Sequence, residues 1–326
     1  MSAMFNGTIR TAGKWFCAAA LIGTIVSAAH AQGDFAQAQI EVLRVSDRVY
    51  MLAGPVGNTT VQIGEQGVVV VDTQFAELSD RILDAIASLT DAPIRYVINT
   101  HAHGDHVGGN AAIAQAGLTV TGGNVAGTIR DATVGAAIIA HENALITMTQ
   151  ADPPIAFEAW PTETFFVARR DLYFNGEAIR ILYQPAAHTN GDVLVYFRES
   201  DVISAGDIFV TTTYPFIDAA NGGHINGILD GLNKIIEIAV PADKQEGGTM
   251  IVPGHGRLAD EADVVEYRDM LTIIRDRVRS MVDAGMSLRQ VQAAGPTRDY
   301  DGRYGADSGF WTTEQFVEAV YENLRD

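Results

Sequence analysis

Thr100-His101-Ala102-His103-Gly104-Asp105-His106 sets three imidazoles and a carboxylate within a single short run. These side chains bind zinc and metals of similar preference, at Zn–N distances of about 2.0–2.1 Å. A bare His-x-His arises by chance on one face of a strand. The full His-x-His-x-Asp-His is more demanding. Four polar, partly charged groups crowded into one apolar-flanked turn are costly unless a cation compensates them. A solvated polar loop is the competing reading, and it has no need of such density. The run therefore reads as a metal-binding loop.

Its flanks say what carries it. Ile94 to Ile98 is a short apolar run of strand type that delivers the loop at its C-terminal end, and Gly108-Gly109-Asn110 opens a helix after it. Upstream, Val49 to Leu52, Thr59 to Ile63 and the wholly apolar Val68 to Val71 read as strands separated by glycine-containing turns. Phe75 to Leu89 has helical spacing, with Leu78, Ile82, Ile86 and Leu89 on one stripe. Downstream the plan repeats. Ala178 to Leu182, Val193 to Phe197, Val202 to Ser204 and Met250 to Val252 read as strands, and Gly227 to Ile238 as a helix. From Glu261 onward the pattern is mainly helical, ending in Glu314 to Leu324. Two similar halves of alternating strands and helices predict an α/β fold whose sheets are covered by helices.

The chain has 326 residues, 47% of them hydrophobic, enough for a full core. Residues 1–31 read as a signal peptide: Arg10 and Lys14 precede an apolar stretch from Trp15 to Ala28, and Ala29-His30-Ala31 fits a small-x-small cleavage site. Export to the periplasm follows as an expectation, with residues 32–326 as one domain bearing a C-terminal helical extension from about 260. The apolar stretch is shorter than the ~20 residues a spanning helix needs, and no later run supplies them. Cys17, the single cysteine, lies in the leader. Any metal site in the mature chain is thus built from nitrogen and oxygen. The formal net charge is −18, and Lys234 and Lys244 are the lysines outside the leader. Such acidity disfavours nucleic acid and anionic membranes as partners and leaves a small-molecule substrate. Oligomeric state is not legible here.

Three further segments place ligand-type residues just after predicted strands: His188 in Pro185-Ala186-Ala187-His188-Thr189-Asn190-Gly191-Asp192, Asp207 in Ile203-Ser204-Ala205-Gly206-Asp207, and His255 in Pro253-Gly254-His255-Gly256. Glycines on both sides of His255 let backbone approach closely. In this order, the motifs resemble the metallo-β-lactamase superfamily from about residue 40 to 258. The resemblance implies an αββα sandwich: two mixed β-sheets packed face to face, helices on both outer faces, and the metal site at one edge. It implies His101, His103 and His188 on a first zinc, Asp105, His106 and His255 on a second, and Asp207 bridging both. The bridging Asp with His106 is similar to hydrolases of glyoxalase-II and lactonase type. A mature chain without cysteine departs from the lactamases that place cysteine on the second zinc. Thr211, Thr212 and Thr213 stand where many of those carry a lysine for the β-lactam carboxylate.

Two divalent ions about 3.5–4 Å apart share one water and lower its pKa toward neutrality. The expected reaction is hydrolysis of an amide or ester acyl bond by that hydroxide, with β-lactam or lactone opening among the candidates and Asp105 orienting the nucleophile. Two Zn²⁺ per chain are expected, and iron or manganese suits the same donors. A mononuclear iron persulfide dioxygenase is the alternative enzyme, using two His and one Asp; a non-catalytic metal-binding module is the alternative outside catalysis. Thr100, Thr189 and Asp72 are candidates to orient the imidazoles from behind. Of the histidines left over, His141 reads as structural at a strand-to-helix junction, and His224 as a substrate contact or a simple helix start. Trp160 and Tyr214 are candidate pocket walls, although most aromatics in a chain of this size are core.

Overall fold

The computed structural model describes residues 35–119 and 135–325. The leader read from residues 1–31 lies outside them. In chain order the strands are β1 (Glu41–Arg44), β2 (Val49–Ala53), β3 (Asn58–Gly64), β4 (Gly67–Val71), β5 (Ile94–Ile98), β6 (Ala137–His141), β7 (Glu163–Phe165), β8 (Arg169–Phe174), β9 (Glu177–Tyr183), β10 (Val193–Phe197), β11 (Val202–Gly206), β12 (Met250–Pro253) and β13 (Ala259–Asp260). The helices are α1 (Ser79–Leu89), α2 (Gly104–Val107), α3 (Asn110–Gln115), α4 (Glu142–Gln150), α5 (Ile225–Ile238), α6 (Glu261–Asp283), α7 (Leu288–Ala294), α8 (Asp301–Tyr304) and α9 (Thr313–Arg325).

β1 to β7 form one sheet in sequence order, and the second sheet runs β13-β12-β11-β10-β9-β8. Both are mixed. β1 to β4 pair antiparallel and β4 to β7 parallel; in the second sheet only β11 and β12 run parallel. The period-2 pattern divides each strand between two cores. Val69, Val71 and Ile98 face Ile181, Val193, Val195 and Phe197 between the sheets. On the far face of the second sheet, Leu194, Ile203 and Ile251 pack against Ile228 and Leu232 of α5 and Leu271 and Ile274 of α6. Helices α1, α3 and α4 cover the first sheet, where Ile82 and Ile86 of α1 and Ile113 of α3 are buried. This is the expected αββα sandwich.

The helices after Glu261 join that outer layer. α6 packs on α5 and α9, and Phe316, Val320 and Leu324 of α9 are part of the same apolar cluster. Among the described residues no helix is long and apolar enough to cross a membrane.

Candidate metal centre

Strand direction gathers the ligands. β4 and β5 are parallel, so the residues following them, Asp72 and the His101–His106 loop, emerge at the same end of the first sheet. In the second sheet β9 and β11 both oppose β10 and therefore point the same way, while β12 is parallel to β11. His188 after β9, Asp207 after β11 and His255 after β12 thus leave from one end. The two ends are joined where Val193 N donates to Thr100 O at 2.8 Å and Asn58 N to Gly254 O at 2.9 Å. Backbone in unusual conformations sits here. Asp72 and Gln74 have φ of 61° and 53°, and Gly206 has 51°. A side chain on Gly254 would put Cβ 1.9 Å from Asp207 Oδ1, so only glycine lets the carboxylate approach.

All seven ligand-type residues read from the sequence converge. Potential donor atoms of His101, His103 and His188 lie within 4.8 Å of one another, as do those of His101, His106 and Asp207, and those of Asp105, His106 and His255. His103 Nδ1 is 2.9 Å from His188 Nε2, and His106 Nε2 is 3.4 Å from His255 Nε2. Asp207 stands between the two trios: its carboxylate is 3.2 Å from His106 Nε2, 3.3 Å from His255 Nε2 and 3.7 Å from His188 Nε2. Asp105 Oδ2 lies 3.4 Å from His255 Nε2.

The other nitrogen of four of these histidines is held from outside. Thr100 Oγ1 is 3.0 Å from His101 Nδ1, Asp218 Oδ2 is 2.8 Å from His103 Nε2, Asp72 Oδ2 is 2.8 Å from His106 Nδ1, and Phe216 O is 2.6 Å from His188 Nδ1. A carboxylate or carbonyl accepts a hydrogen bond from the nitrogen it faces, so in the neutral ring the inward nitrogen of His103, His106 and His188 presents its lone pair. Asp72 also accepts from Thr100 N and Oγ1, leaving that hydroxyl oxygen beside His101. His101 Nε2 is buried and has no hydrogen-bonding partner. An unpartnered buried nitrogen grouped with four other donor residues, His103, His106, His188 and Asp207, is what a cation would satisfy. The donor set, imidazole and carboxylate without thiolate, fits zinc, iron or manganese.

Electrostatics divide the centre in two. Burial holds His101 well below the usual imidazole range and His188 at about 4, with neighbouring imidazoles adding to the effect. Burial opposes protonation of His106 and His255 too, but Asp207 and Asp105 outweigh it and hold both above the ordinary value. Burial raises Asp207, yet His255 and His106 overcome it and keep the carboxyl well below its usual range. Asp218 shows the same balance: hydrogen bonds from His103 and Asn221 overcome burial and hold it at about 2. Further out, Asp192 accepts from Thr189 N and Oγ1 and fixes the turn after His188.

One sequence expectation is corrected and two are narrowed. Tyr214 is buried in the core, stacked on Phe316 with its hydroxyl donating toward Asp301 Oδ1 at 2.9 Å, and it faces no pocket. The residue that turns toward the histidines is Phe216, two positions on. His224 caps α5: Nδ1 accepts from Asn226 N, and Nε2 donates to Asn323 O at 3.1 Å, so both ring nitrogens are committed to the fold. Trp160 donates its indole N–H to Ile155 O and packs against the cluster of Ala102, Val107 and Met148, supporting the loop from the side. His141 is structural as read, capping α4 and stacked on Tyr183. Asp218 escaped sequence reading because Pro215-Phe216-Ile217-Asp218 carries no local signal that its carboxylate reaches back to residue 103.

Known proteins share this fold. A metallo-β-lactamase type 2 from Bacillus sp. (strain 170) is 18% identical over 207 residues, covering 63% of this chain and 69% of that protein. Among solved structures, the inverting sec-alkylsulfatase Pisa1 from Pseudomonas sp. aligns with a TM-score of 0.62 at 16% identity, over 87% of this chain and 50% of that one. This chain thus spans about half the length of the alkylsulfatase. A metallo-β-lactamase from Pontibacter korlensis aligns at 0.54 and 16% identity, over 72% of this chain and 99% of its own. The family model for the metallo-beta-lactamase superfamily matches residues 53–266, from the end of β2 into α6 and across every ligand-type residue named above, and the chain belongs to that superfamily.

Proposed function

We propose that this protein is a dinuclear zinc hydrolase that cleaves an amide or ester acyl bond in a small molecule. One observation carries the reading: four imidazoles whose outer nitrogens are anchored turn their inner nitrogens, including the unpartnered His101 Nε2, toward a shared centre with Asp105, Asp207 and His255. His101, His103 and His188 would hold one ion, and Asp105, His106 and His255 the other, with Asp207 between. Metal ions bound there supply Lewis acidity and a water that ionises near neutral pH. Asp105, with a side chain 23% exposed, is the ligand-type carboxylate most open to solvent, placing it to accept a hydrogen from the attacking water and fix its direction. Asp207, less exposed than Asp105, keeps the two trios in register.

The leader read from residues 1–31 supports action in the periplasm. The mononuclear dioxygenase reading would use only three of the seven convergent residues, and the non-catalytic reading leaves the solvent-open Asp105 without a task. Metal analysis of purified protein, paired with hydrolysis of nitrocefin, lactones, thioesters, phosphodiesters and sulfate esters, tests the proposal. Two zinc ions per chain and turnover of an acyl substrate are expected. One iron with oxygen uptake would replace it by the oxygenase, and two metals without turnover of any substrate by the binding module.

A further inference from the structure

His255 differs from the other imidazoles of the centre. The outer nitrogens of His101, His103, His106 and His188 are each met by a hydroxyl, carboxylate or carbonyl oxygen. Nε2 of His255 faces Asp105 and Asp207, and among the described residues no such oxygen meets its Nδ1. A ring without that outer anchor takes its direction from the backbone that carries it. Here the backbone is the loop between β12 and β13, with glycine on both sides of the histidine and a φ of 97° at Gly256. Glycine restrains a chain least, so the loop has to be fixed from outside.

Asn58, 6% exposed at the start of β3 in the first sheet, does this at three points. Its backbone N donates to Gly254 O at 2.9 Å. Its Nδ2 donates to Pro253 O at 2.9 Å and to Gly256 O at 3.0 Å. The two hydrogens of one amide thus straddle the histidine, and two carbonyl partners require the NH₂ end of that amide to face the loop. The carbonyl in between, that of His255, accepts from Thr211 N at 3.1 Å. All four carbonyls from 253 to 256 are thereby engaged, three of them by Asn58. The chain beside Asn58 also runs along the ring: a Cβ on Gly57 would stand 3.6 Å from His255 Cε1.

We infer that Asn58 is a positioning residue of the second metal trio, aiming His255 through the backbone of its loop where no neighbour holds the ring itself. This role rests on the two-metal reading and deepens it. His255 is carried by the second sheet but directed from the first, so the trio of Asp105, His106 and His255 depends on a residue that touches no potential metal position. The trio of His101, His103 and His188 does not, because each of those rings has its own anchor.

The test reads the stepwise zinc affinities of the whole chain by competition with a chromophoric chelator, with His255→Ala marking which constant belongs to the second trio. Asn58→Ala should weaken that same constant by about ten- to hundredfold and change the other by less than about twofold. Asn58→Asp keeps the shape of the side chain without its two donors and should repeat the split; it carries the comparison if the alanine variant does not fold. Thr60→Val serves as control: Thr60 Oγ1 is 3.1 Å from Ser204 Oγ in another buried bond between the sheets, and its loss should leave both constants unchanged. Equal weakening of both constants, no weakening, the same split in Thr60→Val, or unfolding of both Asn58 variants would make Asn58 a residue of the fold alone and overturn the inference. If wild type takes up a single ion, the two-metal reading falls, and the role of Asn58 then stands only if Asn58→Ala weakens that ion as His255→Ala does.

Discussion

Asp218 and Asp105 are both carboxylates at the centre, and the structure gives them different work. Asp218 touches no potential metal position; its Oδ2 holds His103 Nε2 and is itself held by Asn221 Nδ2 at 2.6 Å. Removing it frees the ring to rotate and to carry its proton on the inner nitrogen. Asp218→Ala should therefore weaken one of the two metal sites by about ten- to hundredfold, read by competition with a chromophoric chelator, while the other site changes little. Equal loss at both sites would mean that the trios are not separable. Asp105→Ala is expected to abolish turnover while the melting temperature moves by no more than a few degrees, since its side chain is partly exposed and lies outside both cores. Unfolding of that variant at room temperature would make the metal structural and refute the assignment.

At the scale of elements, two short segments decide whether the site forms. Gly254 follows β12, where a Cβ would collide with Asp207 Oδ1 and with Gly206 backbone. Gly254→Ala should displace Asp207 and lower metal content without unfolding the sheets, checked by metal analysis beside far-ultraviolet circular dichroism. At the start of α6, Asp260 and Asp263 form a capping box, and Asp263 also binds Arg257, two residues past His255. The guanidinium holds the Asp263 carboxyl below its ordinary value, so its stabilisation is present above about pH 4 and is lost as pH falls through the folded-state pKa. Asp263→Asn should cost about 1 kcal/mol at neutral pH, less any screening at this solvent-facing site, and the gap from wild type should close in acid. A gap that persists at pH 2 would place the loss in the cap geometry and not in the charge. Ligand positions were legible because the chemistry dictates residue type: each of the seven lies just after a strand whose apolar run marks it. Central strands such as β4 and β10 were legible for the same reason. The edge strands β1 and β8 were not, because Glu41, Arg44 and Arg169 are the charged, exposed residues that edges carry, half-buried Arg170 adds another charge, and together they erase the alternation. The four-residue α2 lies inside the metal loop and is too short to show a period. Which aromatic faces the site depended on tertiary packing, and Tyr214 and Phe216 are indistinguishable as letters.

The whole molecule separates scaffold from centre. One apolar core lies between the sheets and another between the second sheet and α5, α6 and α9, and neither includes a ligand-type residue. Folding is therefore expected to proceed without metal, and metal binding to add to stability, because the unfolded chain has no assembled site. With free metal at 1,000 times the dissociation constant, the gain is about 4 kcal/mol. A domain of this order of size shifts by roughly 2–4 °C per kcal/mol, so chelation should lower the melting temperature by on the order of 10 °C. The far-ultraviolet spectrum at 25 °C should be unchanged, and re-addition of zinc should restore the lost degrees. The cost remaining in the stripped protein is local: His101 Nε2 stays buried without a partner, and Asp207 makes His106 and His255 bind a proton more readily than free imidazoles do. Loss of secondary structure at 25 °C on chelation would show that the sheet ends are held together by the ions rather than by the Val193–Thr100 and Asn58–Gly254 backbone bonds that cross between them.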